Sequence, residues 1–128
     1  MFGFDFPKGK VEESETDFDA CQRELYEETN LTLDKLRHDG LLMFDGLFDC
    51  GVHKHNKEKD IHIYLCVVRD FPDMSELKCN SFFNLNGKRV PEMDGYEIIH
   101  KNERCKFNFV LRNKFKLIDE KLRKILQN

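Results

Sequence analysis

No run of apolar residues in this 128-residue sequence is long enough to cross a membrane as a helix, and its first residues lack the pattern of a secretory signal. The five cysteines are odd in number and follow no framework spacing. That excludes a disulfide-stapled scaffold and points to reduced thiols, so a cytoplasmic or nuclear protein is expected. Cys50, His53, His55 and His62 fit no standard zinc spacing, and histidines on a polar loop are ordinarily solvated. No internal repeat, low-complexity tract or break in composition marks a second domain. Residues 1–128 are therefore expected to form one domain, long enough to bury a core.

What is present is charge, unevenly spread. The net charge of −3 hides an acidic stretch over residues 12–28, with eight acids and one base. It also hides a basic one over residues 101–128, with nine bases and three acids. The first should attract cations; the second can meet a polyanion or simply be solvated. Within the acidic stretch Glu24, Glu27 and Glu28 stand at i, i+3 and i+4, on one face of a helix. Like charges so placed repel unless a cation neutralises them, and a cluster of hard oxygens suits Mg²⁺ or Mn²⁺. The alternative is a solvated acidic helix face.

Gly9 to Leu31 reads GKVEESETDFDACQRELYEETNL. Gly9, Glu15, Arg23, Glu24, Leu25, Glu27, Glu28 and Leu31 fall on the pattern G-x5-E-x7-R-E-U-x-E-E-x-G-U, where U is aliphatic. The stretch resembles the Nudix box. The departure is Asn30, where the family has glycine. That position ends the helix with a left-handed backbone, and asparagine is the residue that best replaces glycine there. The resemblance implies an α+β Nudix fold, a mixed β-sheet sandwiched between helices in an α/β/α arrangement. Only eight residues stand ahead of Gly9, so either the sequence is a fragment or short form lacking the first N-terminal strand or strands of that fold, or the fold makes do with fewer strands. It also implies an ion pair between Arg23 and Glu15, and metal ligation by Glu24, Glu27 and Glu28 with the Gly9 carbonyl. One of these glutamates or a further one would polarise the attacking water. Glu97 is the first candidate for an additional carboxylate ligand and Glu92 the second; an ordinary acid at a strand edge is the alternative for each.

In chain order, residues 1–6 alternate as a short aromatic strand ending at Pro7. Thr16 can cap the helix, Asp17 and Asp19 favour its positive end, and Phe18, Cys21 and Leu25 form its apolar stripe. Residues 41–50 read as a strand bent at Gly46, and the polar residues 51–60 as a hairpin loop. Residues 61–69 are the clearest strand. Residues 79–85 read as another, closed by the turn pair Asn86-Gly87. From Asn113 onward Phe115, Ile118, Leu122, Ile125 and Leu126 keep helical spacing.

The chemistry implied is hydrolysis of a diphosphate linkage in a nucleoside diphosphate joined to another moiety, a Nudix pyrophosphohydrolase. Phe6-Pro7-Lys8-Gly9-Lys10 is similar to the start of the box in mRNA-decapping Nudix enzymes, cellular and viral, with Lys8 and Lys10 suited to substrate phosphate. The short chain resembles a Nudix protein of a large DNA virus, such as a baculovirus, acting in the host cell. Removal of the 5′ cap of mRNA as methylated GDP is the first expectation, with the basic C-terminal segment carrying the RNA. ADP-ribose or a dinucleoside polyphosphate is the second. A catalytically silent fold that binds RNA or protein is the third. Phe4, Phe6, Phe44 and Phe48 can stack on a base or simply pack in the core.

Overall fold

The computed structural model describes residues 6–93, 95–97, 99, 102–103, 107 and 114–127. The expected strand over residues 1–6, and Phe4 with it, lies outside these except for Phe6. The elements in order are α1 (Asp17–Thr29), α2 (Leu33–His38), β1 (Leu42–Asn56), β2 (Lys59–Val68), β3 (Phe82–Leu85), β4 (Lys88–Pro91) and α3 (Phe115–Leu126), with a 3-10 turn at Met74–Glu76. This is an α+β chain. Its described strands form two two-stranded sheets, β1 with β2 and β3 with β4.

Helix α1 starts where its sequence provides donors and acceptors. The Thr16 hydroxyl accepts the Asp19 amide at 3.1 Å, and the Asp19 carboxylate accepts the Thr16 amide at 3.5 Å, a reciprocal capping box. The helix stops at Asn30, whose φ of 69° is left-handed and whose amide donates to the Tyr26 carbonyl at 2.8 Å. The side chain of Asn30 does more than a glycine could. Its amide nitrogen donates to the Glu76 carbonyl at 3.3 Å and its oxygen accepts from Asn80 at 3.0 Å. Asn30→Gly should therefore gain backbone ease yet lose two tethers, for a net loss of about 1 kcal/mol by thermal unfolding. Asn30→Ala, strained at that φ as well, should lose more.

The buried positions of α1 are Ala20, Glu28 and Thr29, not the stripe Phe18, Cys21 and Leu25. Phe18 is exposed, and Cys21 and Leu25 are half-buried. The segment that follows is not the plain connection its sequence suggests. Thr32 caps a six-residue helix by accepting the Lys35 amide at 3.0 Å, and this α2 buries Leu33 and Leu36. Leu42 is buried as well. Each such leucine contributes roughly 1.5–3 kcal/mol on leaving water.

Strand β1 runs on through Gly51–Asn56, where a loop was expected. Phe44, at φ 59°, and Gly51, at φ 94°, make it irregular, Gly46 does not, and the connection to β2 shrinks to Lys57-Glu58. Hairpin pairing satisfies the backbone of this polar stretch whatever its side chains, which is why side-chain polarity misled. The β3–β4 hairpin pairs Phe82 with Pro91, Phe83 with Val90, Asn84 with Arg89 and Leu85 with Lys88. Asn86 and Gly87 both take positive φ, 52° and 82°, as a two-residue hairpin turn of this hand requires.

The chain divides into two compact units. One comprises Pro7–Gly46 and Val67–Ile98. The other holds Phe6, Leu47–Cys66 and the described part of Ile99–Asn128. In the second, Phe6 stacks on Phe107 at 4.8 Å and meets Phe115 edge-on at 5.4 Å, and Phe107 meets Phe115 at 5.1 Å. Phe6 is thus part of an aromatic core rather than a stacking platform. Also there, His62 bonds Asp49 at 2.7 Å and stacks on Tyr64 at 4.4 Å. Among the described residues no helix is long and apolar enough to cross a membrane.

Candidate active site

Lys8, Gly9, Lys10, Glu15, Arg23, Glu24, Glu27, Glu28, Glu92 and Glu97 all belong to the first unit. Arg23 is the centre of the arrangement. Its Nε donates to Glu15 Oε2 at 2.7 Å and one terminal nitrogen to Glu15 Oε1 at 3.1 Å, a bidentate pair. That nitrogen also donates to the Lys10 carbonyl at 2.8 Å. The other donates to Glu24 Oε1 at 2.6 Å and Glu27 Oε2 at 3.1 Å. A guanidinium has five N–H donors, and these bonds use them all.

The effect is to fix the loop to the helix. Glu15 reaches eight residues along to Arg23 and also accepts the Glu12 amide at 2.8 Å, which shapes the turn before the cap. The bond from Arg23, followed by that from the Glu12 amide, holds the Glu15 carboxyl below the usual carboxylate range. The same pairing raises the Arg23 pKa further still. A folded value below the ordinary 4.5 contributes stability that is present above pH 4.5 and is lost as pH falls through the folded value. Thermal unfolding between pH 5 and 3 should therefore show a steeper acid loss for the native chain than for Glu15→Gln.

Glu24 lies against the backbone of Gly9. A Cβ built at Gly9 would overlap the Glu24 carboxylate. Gly9 has no left-handed φ, so its requirement is space alone. Burial pushes the Glu24 carboxyl up, opposed by Arg23, while the charges of Glu27 and Glu92 push it the same way as burial. Glu92, the residue just after β4, thus acts on the helix face. Its amide donates to the Ser81 carbonyl at 2.9 Å. Glu97 is exposed and follows Tyr96, whose hydroxyl donates to the Glu28 carbonyl.

Glu28 is 6% exposed, and its Oε2 accepts the Lys8 amide at 2.7 Å. Lys8 and Lys10 are both exposed, with their main chains held by Glu28 and Arg23. The donor set suits a hard divalent cation: all carboxylate, carried on one helix, with Gly9 cleared of a side chain beside Glu24. Among the described residues no three His, Cys, Asp or Glu side chains converge at ligand distance. The Arg23 guanidinium sits between Glu24 and Glu27, and it balances their charge.

A model of the NUDIX domain family matches residues 2–80, more than half of the chain. The chain belongs to the Nudix family. No curated protein and no solved structure matches it significantly. Nudix domains generally hydrolyse nucleoside diphosphates linked to another group and generally use Mg²⁺ or Mn²⁺. The match ends just before the β3–β4 hairpin, and two main-chain bonds tie the segment leading into that hairpin to the last turn of α1. Asn80 donates its backbone amide to the Glu27 carbonyl, and Lys78 donates to the Thr29 carbonyl at 3.3 Å. Nothing in the sequence marks Asn80 as the residue that ties the two together; only the Asn86-Gly87 turn signals the hairpin itself.

The Gly9 contact gives a sharp expectation. Gly9→Ala costs little in folding, because Glu24 is the flexible end of a side chain and can move aside. A displaced Glu24 should lower turnover on the order of a hundredfold, with a melting temperature within a few degrees of the native chain.

Proposed function

We propose that this chain is a divalent-metal-dependent hydrolase of a nucleoside-diphosphate linkage. The observation that carries the reading is the Arg23 fork, which holds Glu15, Glu24 and Glu27 in one network beside Gly9. A silent relic of the fold would have no need of so many carboxylates around one cation-binding face. Glu24, Glu27 and Glu28 would hold the metal, with Glu92 or Glu97 adding a further oxygen. A bound divalent cation supplies neutralisation of the diphosphate charge and acidifies a water. Arg23 and Glu15 act as positioning residues, and Lys8 and Lys10 offer charge to the substrate phosphates. Catalysis of this kind is mostly placement and charge stabilisation.

The substrate proposed first is the 5′ cap of RNA, released as methylated GDP, on the strength of Phe6-Pro7-Lys8-Gly9-Lys10 and its two exposed lysines. A small nucleotide, ADP-ribose or a dinucleoside polyphosphate, is the second reading. It has its own support, a nucleoside-sized cleft beside Glu27. The test is hydrolysis of cap-labelled RNA beside ADP-ribose, with Mg²⁺ or Mn²⁺. Release of methylated GDP that stops in Glu28→Gln supports decapping; turnover of ADP-ribose alone selects the small nucleotide. A folded chain that turns over neither these nor a dinucleoside polyphosphate is the silent binding module.

A further inference from the structure

We infer that the cleft between the last turn of α1 and the β3–β4 hairpin is a nucleobase subsite, in which the base stacks on the Phe82–Arg89 pair. The inference rests on reading the neighbouring carboxylates as a nucleoside-diphosphate site. The cleft is shallow and open to solvent, has a volume of about 440 Å³, and includes Glu27, Asn80, Phe82, Phe83, Asn84 and Arg89 in its lining. That is within the range of small-ligand sites and ample for one nucleoside. Sharing Glu27 places it directly beside the proposed cation face.

The hairpin presents one face with the right chemistry. Phe82 and Asn84 are two apart on β3, and Arg89 and Pro91 are their partners on β4, so the four share a side of the sheet. The Arg89 guanidinium carbon lies 3.9 Å from the centroid of the Phe82 ring. A guanidinium held on an aromatic ring keeps its outer face for a second planar group. A base is such a group, and an arginine plane or aromatic ring is how single nucleotides are commonly gripped. The amide of Asn84, on the same face, can read the base edge. Phe82 is 39% exposed, so its ring is open to a ligand.

The position is held, not incidental. Asn80 donates its side-chain amide to the Tyr26 carbonyl at 3.2 Å and to Asn30 Oδ1 at 3.0 Å, besides its main-chain bond to Glu27. These bonds fasten the start of the hairpin to the turn that carries Glu27 and Glu28. A base in the cleft is thereby set at a fixed reach from those carboxylates. The asparagine at position 30, where the family has glycine, serves this attachment.

Binding of AMP and GMP, with ribose 5-phosphate as the baseless control, tests the subsite by calorimetry in EDTA. The full chain is compared with Phe82→Ala, Arg89→Ala and Arg89→Lys. The nucleotides should bind about tenfold more tightly than ribose 5-phosphate, and both alanine variants should remove that margin. Arg89→Lys should recover little, since an ammonium has no plane to stack. Equal binding of AMP, GMP and ribose 5-phosphate, or alanine variants that bind nucleotides like the native chain, overturns the subsite. In turnover, Phe82→Ala should raise KM about tenfold with kcat held. A KM rise for ADP-ribose alone assigns the base to a free nucleotide; a rise for capped RNA alone assigns it to the RNA. A KM unchanged for every substrate turned over overturns the subsite. Base-dependent binding without turnover of any substrate leaves the subsite standing and removes the hydrolase reading.

Discussion

Glu28→Gln is expected to fold normally and to lose turnover on the order of a thousandfold. The substitution keeps the shape of the side chain and an oxygen to accept the Lys8 amide, the 2.7 Å bond that Glu28 makes now. What it removes is charge. Glu28 is 6% exposed, and a carboxylate so buried costs free energy unless positive charge compensates it. Two readouts follow. In EDTA the variant should unfold within a few degrees of the native chain, because the side chain keeps its shape and its bond to the Lys8 amide. On adding Mg²⁺ or Mn²⁺ the native chain should gain stability, by about 2.7 kcal/mol at a hundred times the dissociation constant. The variant should gain much less. A variant that keeps both its turnover and its metal-induced gain would show that Glu28 is a structural acid, with the cation held elsewhere on the helix.

The parts of this arrangement that the sequence revealed are those set by short-range chemistry. Thr16 caps the helix; Asn30 ends it in the left-handed conformation that asparagine tolerates; Asn86-Gly87 turns the second hairpin. Each depends on a few neighbouring residues, so a pattern suffices. The clustering of Glu24, Glu27 and Glu28 on one face is a consequence of helical period alone. What escaped depends on partners far along the chain. Gly51–Asn56 looks like a loop because its side chains are polar, yet the backbone of β2 makes it a strand. The face of α1 buried at Ala20, Glu28 and Thr29 is chosen by packing, against the apolar stripe of Phe18, Cys21 and Leu25. The short α2 carries only Thr32, Leu33 and Leu36 as signals, too few to separate from a connection. Asn80 stands fifty residues from Asn30, and no local pattern pairs them.

Arg23→Ala should be the most destabilising change at the site. The Arg23 side chain is 23% exposed and that of Glu15 18%, between the surface pairs that contribute little and the buried pairs that cost several kcal/mol to break. A loss of about 2–4 kcal/mol is expected, lowering the melting temperature by roughly 10 °C. Beyond the lost bonds, Glu15, Glu24 and Glu27 would face one another without the guanidinium between them. Arg23→Lys should recover part of this at most, because an ammonium cannot span Glu15 bidentately while reaching Glu24, Glu27 and the Lys10 carbonyl. The decisive comparison is with and without divalent cation. If Glu24 and Glu27 hold the metal, the cation supplies the charge that Arg23 supplied. The stability gap between variant and native chain should then narrow on adding Mg²⁺. A gap that stays constant from EDTA to saturating Mg²⁺ would show that the cation does not see the same carboxylates as Arg23. Glu24 and Glu27 would then be structural partners of the arginine alone. Turnover separates the same two cases, since a network that only braces the fold should lose activity in step with stability. A network that also places the reacting groups should lose activity well below the melting temperature, where the variant is still folded.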